Sequence, residues 1–302
     1  VGVIKQKRGP IGLKALEAST RITVERAKSR AIWITAGGNK YLILLDHILL
    51  DRLEKMAPGT LRHSFMVANI AAAAAFHIEG VDPDLVRCIA TFHDIAKGEH
   101  PEYFIEALSG RRDVDEQQRS QIEIKSLEEL DFIMSHPDES ARILEEYGFP
   151  PEVCQAVREH HGTLTTRLKL SAELQALIKK EPELKKKLFY HAKPTSKASA
   201  IVFLADRCEA AISRMLAEEG IMYPGQDFIE NKVKLLGVDA REKGQLDDSG
   251  LTVEEQAIVE EKITWWLYRY YNDLDITGTP PPAQIAAAES RHNHSGPQSF
   301  EN

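Results

Sequence analysis

The sequence predicts an all-α fold. Apolar residues recur at three- and four-residue intervals along most of the 302 residues, and alternating runs of the β type are scarce. The punctuation suits helices as well. Asp82 followed by Pro83 reads as a capping residue with proline at the first helical position, and Gly80, Gly148 and Gly162 stand where periodic runs stop.

Residues 12–36 read as one or two helices ended by Gly37-Gly38. Segment 40–56 places Leu42, Leu45, Leu49 and Leu53 on one stripe and ends before Pro58-Gly59. Thr60 is placed to cap a helix over 61–79, whose five alanines at 71–75 favour helix and permit close helix approach. The helix opened by Asp82 runs to about Lys97 and turns Ile89, Phe92 and Ile95 inward. Residues 109–124 are strongly polar and read as a loop or solvated insertion. Helices follow at 138–147 and, after Pro150-Pro151, at 151–161. The Leu- and Lys-rich stretch 167–190 reads as a solvated amphipathic helix, and 196–218 as a strongly apolar one. Tyr223-Pro224-Gly225 marks a turn. A last helix, 252–274, carries Trp265, Trp266, Tyr268, Tyr270 and Tyr271 as packing residues. The organisation expected is a helical bundle over 41–275 with helical extensions at both ends. Residues 1–40 form the N-terminal extension or linker, and 276–302 a disordered tail.

Composition excludes partners more than chemistry. Lys and Arg number 38 against 46 Asp and Glu, a net charge of -8, which argues against bulk nucleic acid or an anionic membrane surface as ligand. A small phosphorylated ligand held at a local positive site remains compatible. Cys88, Cys154 and Cys208 are far apart and lack CxxC spacing, so a disulfide scaffold or thiolate zinc site is not expected, and a reducing cytoplasmic setting fits. No apolar leader stands at the start, and the apolar run 41–50, broken by Asp46 and His47, is far short of the ~20 residues that cross a bilayer. No membrane contact is expected of this chain itself. Opening on Val1, it is compatible with a fragment or processed form of a larger parent.

Eleven histidines matter through their placement. His47, His77, His100 and His191 have no ligand-type neighbour at useful spacing and read as ordinary polar residues. His292 and His294 fall in the tail and make at most a weak metal tract. The others form an ordered series. His63 lies in the first turn of a helix, and His93-Asp94 near the end of the next, with Lys97 one turn on. His136 precedes a helix start at Pro137-Asp138, His160-His161 close a helix before Gly162, and Asp206 sits inside the apolar run AIVFLADRC. An unpaired carboxylate in such a run is costly, so Asp206 needs a cation or several donors. Adjacent histidines point about 100° apart on a helix and converge only where the helix is ending. Imidazole and carboxylate suit borderline divalent metals, and two ions bridged by a carboxylate activate water for in-line attack on phosphorus. One ion would leave several of these seven side chains unused.

This series resembles the HD-domain metal-dependent phosphohydrolase superfamily, an all-helical fold named for the His-Asp pair. More narrowly, APGTLRHSFMVANIAAAAA at 57–75, FHDIAKGEHPEYFIE at 92–106 and VREHHGTL at 157–164 are similar to the PgpH-type, seven-transmembrane HD hydrolases. KPTSKASAIVFLADRCEAA at 193–211 and GQLDDSGLTVEE at 244–255 extend the likeness to roughly 41–275. The resemblance implies hydrolysis of cyclic di-AMP to linear pApA at a centre of two divalent metal ions, Fe or Mn. His63, His93, Asp94 and Asp206 would hold the first ion, with Asp94 bridging to a second completed by His136, His160 and His161. Asp94 and Lys97 would be the catalytic residues, with Lys97 on the scissile phosphate and Gly162 and Thr163 lining its pocket. Ala96 replaces the glycine of the usual HDIGK, FIEAL stands for FIENQ, and HAKPT at 191–195 for GPKPQ. By the resemblance, these changes would lie around the nucleotide rather than the metals. The double histidine also suits the cyclic di-GMP group, but HHGTLTTRL lacks that group's GYP signature. The rival expectations are another HD specificity (cyclic di-GMP, a deoxynucleotide, an alarmone) and a regulatory module that binds nucleotide without turnover. Oligomeric state is not readable.

Overall fold

The computed structural model describes residues 4–5, 31–36, 39–44, 48–104, 123–165 and 169–272. Helix α1 (Ile48–Met56) buries Leu49, Leu50 and Leu53. Pro58 then opens α2 (Pro58–Ala75), where its preset φ and missing N–H cost nothing in a first turn. Thr60 does not cap this helix as its sequence position suggests; it lies inside α2, fully buried. Four of the five alanines of 71–75 are almost wholly buried, so close helix approach is one use made of them. Helix α3 (Pro83–Phe92) starts as expected, with the Asp82 carboxylate accepting from the Asp84 N–H at 2.9 Å. It stops at Phe92 instead of Lys97, and a 3₁₀ turn over Ile95–Gly98 follows.

Helix α4 (Leu127–Glu146) is twice the length expected. Ser126 caps it, accepting from the Glu129 N–H at 3.1 Å, and Pro137 lies in its interior rather than at its start. His136 is therefore a mid-helix residue. Helix α5 (Pro151–Arg158) leads into the His160-His161 turn. The stretch 167–190 is not one helix. Pro182, which has no N–H to continue the ladder, separates α6 (Ala172–Lys180) from a 3₁₀ segment over Pro182–Leu188. Helix α7 (Lys197–Glu219) opens with a reciprocal capping box between Ser196 and Ser199 and ends at Gly220 in the left-handed conformation. A helix not anticipated, α8 (Gln226–Glu242), and α9 (Val253–Tyr271) complete the body.

Residues 31–36 and 40–44 correct the reading of 12–36 and 40–56 as helices, whereas 48–56 is helical as expected. Among the described residues, β1 (Ile4–Lys5), β2 (Ala31–Ala36) and β3 (Asn39–Leu44) form an antiparallel sheet in the order β1-β3-β2, with Ala36 opposite Asn39. The physical reason is present in the sequence. Ile32, Trp33, Ile34 and Thr35 are β-branched or aromatic, and Gly37-Gly38 is a two-residue hairpin signal. The expected helix over 12–30, most of the polar insertion and the 276–302 tail lie outside the described residues.

Packing brings the ligand-bearing segments together. Helix α2 packs on α3, α7 and α9, α3 packs on α5 and α7, and α4 on α5 and the 95–98 turn. Phe92, Ile201, Phe203 and Leu204 fill the space between them with at most 1% of their surface exposed. Cys88, Cys154 and Cys208 are buried free thiols within this core. No helix among the described residues is long and apolar enough to cross a membrane. The capping box that starts α7, the helix of Asp206, gives a direct test. Ser196→Ala lowers unfolding free energy by about 1 kcal/mol in chemical denaturation with the fold retained.

Candidate metal centre

All seven ligand candidates meet at one place, between the ends of α3 and α5 and the inward faces of α2, α4 and α7. They fall into two sets, His63 with His93 and Asp206, and Asp94 with His136, His160 and His161; within each set the ligand atoms lie within 4.8 Å of one another. Asp94, fully buried, faces both sets. Its Oδ2 lies 3.2 Å from His93 Nε2 and 3.9 Å from His63 Nε2, while Oδ1 lies 3.2 Å from His136 Nε2 and 3.5 Å from His160 Nε2. Asp206 also spans the sets, with Oδ1 2.9 Å from His63 Nε2 and Oδ2 3.3 Å from His161 Nδ1. The buried carboxylate that the sequence made conspicuous thus has imidazoles on both sides.

The imidazoles are oriented from behind. His93 Nδ1 donates to Ala90 O at 2.8 Å, His136 Nδ1 to Ile133 O at 2.5 Å, and His160 Nδ1 to Val157 O at 2.6 Å. A carbonyl oxygen only accepts, so each Nδ1 carries a proton and each Nε2 is the nitrogen turned toward the centre. His63, within α2, uses a side chain instead, its Nδ1 lying 2.5 Å from Glu209 Oε2. Tyr271 OH stands 3.4 Å behind, on Glu209 Oε1. The sequence reading missed Glu209. Its signal is there, one turn after Asp206 on the same helix, but an acidic residue in a capped amphipathic helix is ordinarily solvated.

His93 Nε2, His160 Nε2 and both Asp94 oxygens are buried without a hydrogen-bond partner, although Lys97 Nζ approaches Oδ2 at 2.8 Å as an ion pair. Unsatisfied polar atoms converging in a buried pocket are what a divalent cation satisfies, and the nitrogen and oxygen donor set suits a borderline metal. Lys97 is buried rather than solvated, with its Nζ 5.0 Å from the centre of the Phe104 ring. Phe104 and Tyr190 wall the second set, the former 5.6 Å from the His136 ring and the latter 4.4 Å from the His161 ring, centre to centre. Sequence reasoning picked out neither.

Gly162, at φ +63°, turns the chain immediately after the double histidine. A Cβ there would run into Gln245 Oε1 and the Phe203 ring. Gln245, in the loop between α8 and α9, locks the turn from outside. Its Oε1 accepts from the Thr163 N–H at 2.8 Å, and its Nε2 donates to Thr163 Oγ1 at 3.0 Å and Lys243 O at 3.2 Å. The N–H and the hydroxyl of Thr163 thus serve the turn itself.

Charge is distributed unevenly between the two sets. Burial disfavours a proton on His63 and on His93, yet Glu209 and Asp206 outweigh it at the first, and Asp94 with Asp206 pushes the second up to about 9. Burial would raise the two aspartates, but the surrounding imidazoles, with Lys97 at Asp94, hold both well below the usual carboxylate range. His136, His160 and His161 are pushed down to about 4, by burial first.

Residues 60–211, about half of the chain, match the family described as HD domain. The chain belongs to the HD-domain family. The match encloses all seven ligand candidates, whereas Gln245 and Tyr271 lie beyond it. Among curated relatives, the cyclic-di-AMP phosphodiesterase PgpH of Bacillus subtilis (strain 168) is 31% identical over 211 residues, covering 70% of this chain. The protein of the same name from Listeria monocytogenes serotype 1/2a (strain 10403S) is 30% identical over 230 residues, covering 75% of this chain. The alignments take in only 27% and 30% of those two relatives, so the chain corresponds to less than a third of their length. The crystal structure of the L. monocytogenes phosphodiesterase PgpH HD domain in complex with cyclic-di-AMP superimposes with a TM-score of 0.61 at 28% identity. That likeness covers 75% of this chain and 99% of the other.

Two expectations follow from the HD-domain centre. A metal entering the His63 set must displace protons held by His63 and His93. Its apparent affinity therefore rises with pH through neutrality and up to about 9, where His93 loses its proton, while the three histidines of the other set, neutral above about 4, add no dependence between pH 6 and 8. Calorimetric titration in buffers of different ionisation enthalpy counts those protons. Glu209→Gln weakens metal binding at the His63 set by roughly 10- to 100-fold, as read by competition with a chelator of known affinity.

Proposed function

We propose that this chain is the hydrolase domain of a dinuclear-metal phosphodiesterase that opens a cyclic dinucleotide, cyclic di-AMP, to linear pApA. The observation that carries the reading is Asp94, whose two buried oxygens each face a separate set of imidazoles. That is the arrangement of a carboxylate shared between two cations. His63, His93 and Asp206 would hold one ion and His136, His160 and His161 the other, iron or manganese in each. Bound there, the ions supply Lewis acidity and a water activated for attack on phosphorus.

The chain's own residues do the rest. The fixed Nδ1–H tautomers hold the imidazoles without reorganisation during turnover. Lys97, already beside Asp94, brings a positive charge toward the scissile phosphate. Phe104 and Tyr190 wall the centre from solvent, and the Gly162-Thr163 turn, held by Gln245, forms the adjoining rim. The names of the relatives support cyclic di-AMP over cyclic di-GMP, a deoxynucleotide or an alarmone. We place the HD domain at 41–275, in the cytoplasmic part of a longer membrane-anchored parent.

The test is hydrolysis of a panel of these nucleotides with Mn or Fe supplied, followed by product identification. Cyclic di-AMP should give pApA fastest. Replacing His93 and Asp94 together with alanine should reduce both bound metal and turnover to background, and full activity in that variant sinks the mechanism. Tight nucleotide binding with no linear product after long incubation with Mn would instead make the chain a regulatory module.

A further inference from the structure

Helix α4 runs unbroken through a buried proline. Pro137 has no N–H, so Ile133 O lacks the axial donor that residue 137 supplies in any other α-helix. The His136 ring takes up that carbonyl, with Nδ1 2.5 Å from Ile133 O. Since the carbonyl cannot donate, Nδ1 holds the ring proton. Nε2 is left with its lone pair, 3.2 Å from Asp94 Oδ1 and 3.1 Å from His161 Nε2.

The neighbouring histidines show what this proline replaces. His93 and His160 bind Ala90 O and Val157 O, which are last-turn carbonyls of α3 and α5, where helices run out of axial donors. His136 sits ten residues into a 20-residue helix, where carbonyls are otherwise engaged. We propose that Pro137 is a positioning residue. By withholding a backbone donor from Ile133 O, it reserves that carbonyl for His136 Nδ1 and so aims His136 Nε2 into the centre as a ligand. A peptide N–H at 137 would draw the carbonyl onto the helix axis and out of line with the ring. Interior proline is ordinarily selected against in helices, and burial removes loop flexibility as its reason here. The assignment of Nε2 as a ligand rests on the metal-centre reading, but the bond that orients the ring does not.

Two measurements test it. Pro137→Ala gives residue 137 a donor and leaves a good helix former. In the folded variant, titration with Mn²⁺ should show one equivalent bound as in the wild type and the other at least about tenfold weaker. Both equivalents kept at wild-type affinity would overturn the proposal, and so would equal weakening of both, which makes the effect general. Independently, long-range ¹⁵N couplings in metal-free wild-type protein labelled at histidine report which nitrogen of His136 is protonated. Nδ1 is expected, and a proton on Nε2 overturns the proposal even if Pro137→Ala does not fold. A wild type that binds no Mn²⁺ defeats the metal reading alone, and the tautomer still decides the role of Pro137.

Discussion

A metal ligand made from histidine needs one nitrogen free and the other occupied, and in this protein main-chain oxygen does most of the occupying. Three imidazoles are held by the carbonyl three residues back, each at a point where the helical ladder lacks a donor. Helices end near His93 and His160, and a proline interrupts the ladder at His136. The same local defects that take the axial donor from these carbonyls thus orient the rings, and the centre lies where α3, α4 and α5 have such defects. His63 lies where α2 is intact and needs Glu209 to do by side chain what backbone does elsewhere.

The supports reach the centre from outside the stretch that carries the ligands. Gln245 closes on the turn after the double histidine from the α8–α9 loop, and Tyr271 at the end of α9 stands behind Glu209. The close fit of Gln245 over Gly162 accounts for glycine there twice, through the left-handed backbone and through the lack of room for a Cβ. The two C-terminal helices therefore belong to the functional unit rather than trailing from it.

Much of this could be read from the sequence, for identifiable reasons. The seven ligand candidates stood out because His-Asp, His-His and an acid inside an apolar run are each unusual in a helix, and the structure gathers all seven. Asp82-Pro83 and Gly148 mark helix boundaries through local backbone chemistry, which a sequence carries whole. The misreadings have one cause in common, a local signal weighed without its tertiary setting. Pro137 looked like a helix start because a proline inside a helix is penalised, and only the imidazole on Ile133 O explains its place. The 31–44 region is the exception, since its β-branched and aromatic run and Gly37-Gly38 are local signals of the strand pairing found there. Glu209, Gln245, Phe104 and Tyr190 belong to residue types found everywhere on helices and loops, and nothing short of proximity sets them apart.

Main-chain anchoring has a consequence for heredity. A carbonyl is encoded by every residue, so no substitution at Ala90, Ile133 or Val157 can delete the oxygen that steers a histidine. Random change can reach the steering only through what shapes the backbone or through Glu209. Elsewhere, as at Ala96 or in 191–195, replacements leave the orienting carbonyls in place. Such a centre can change its surroundings over long descent while the atoms that aim its histidines are inherited nearly intact.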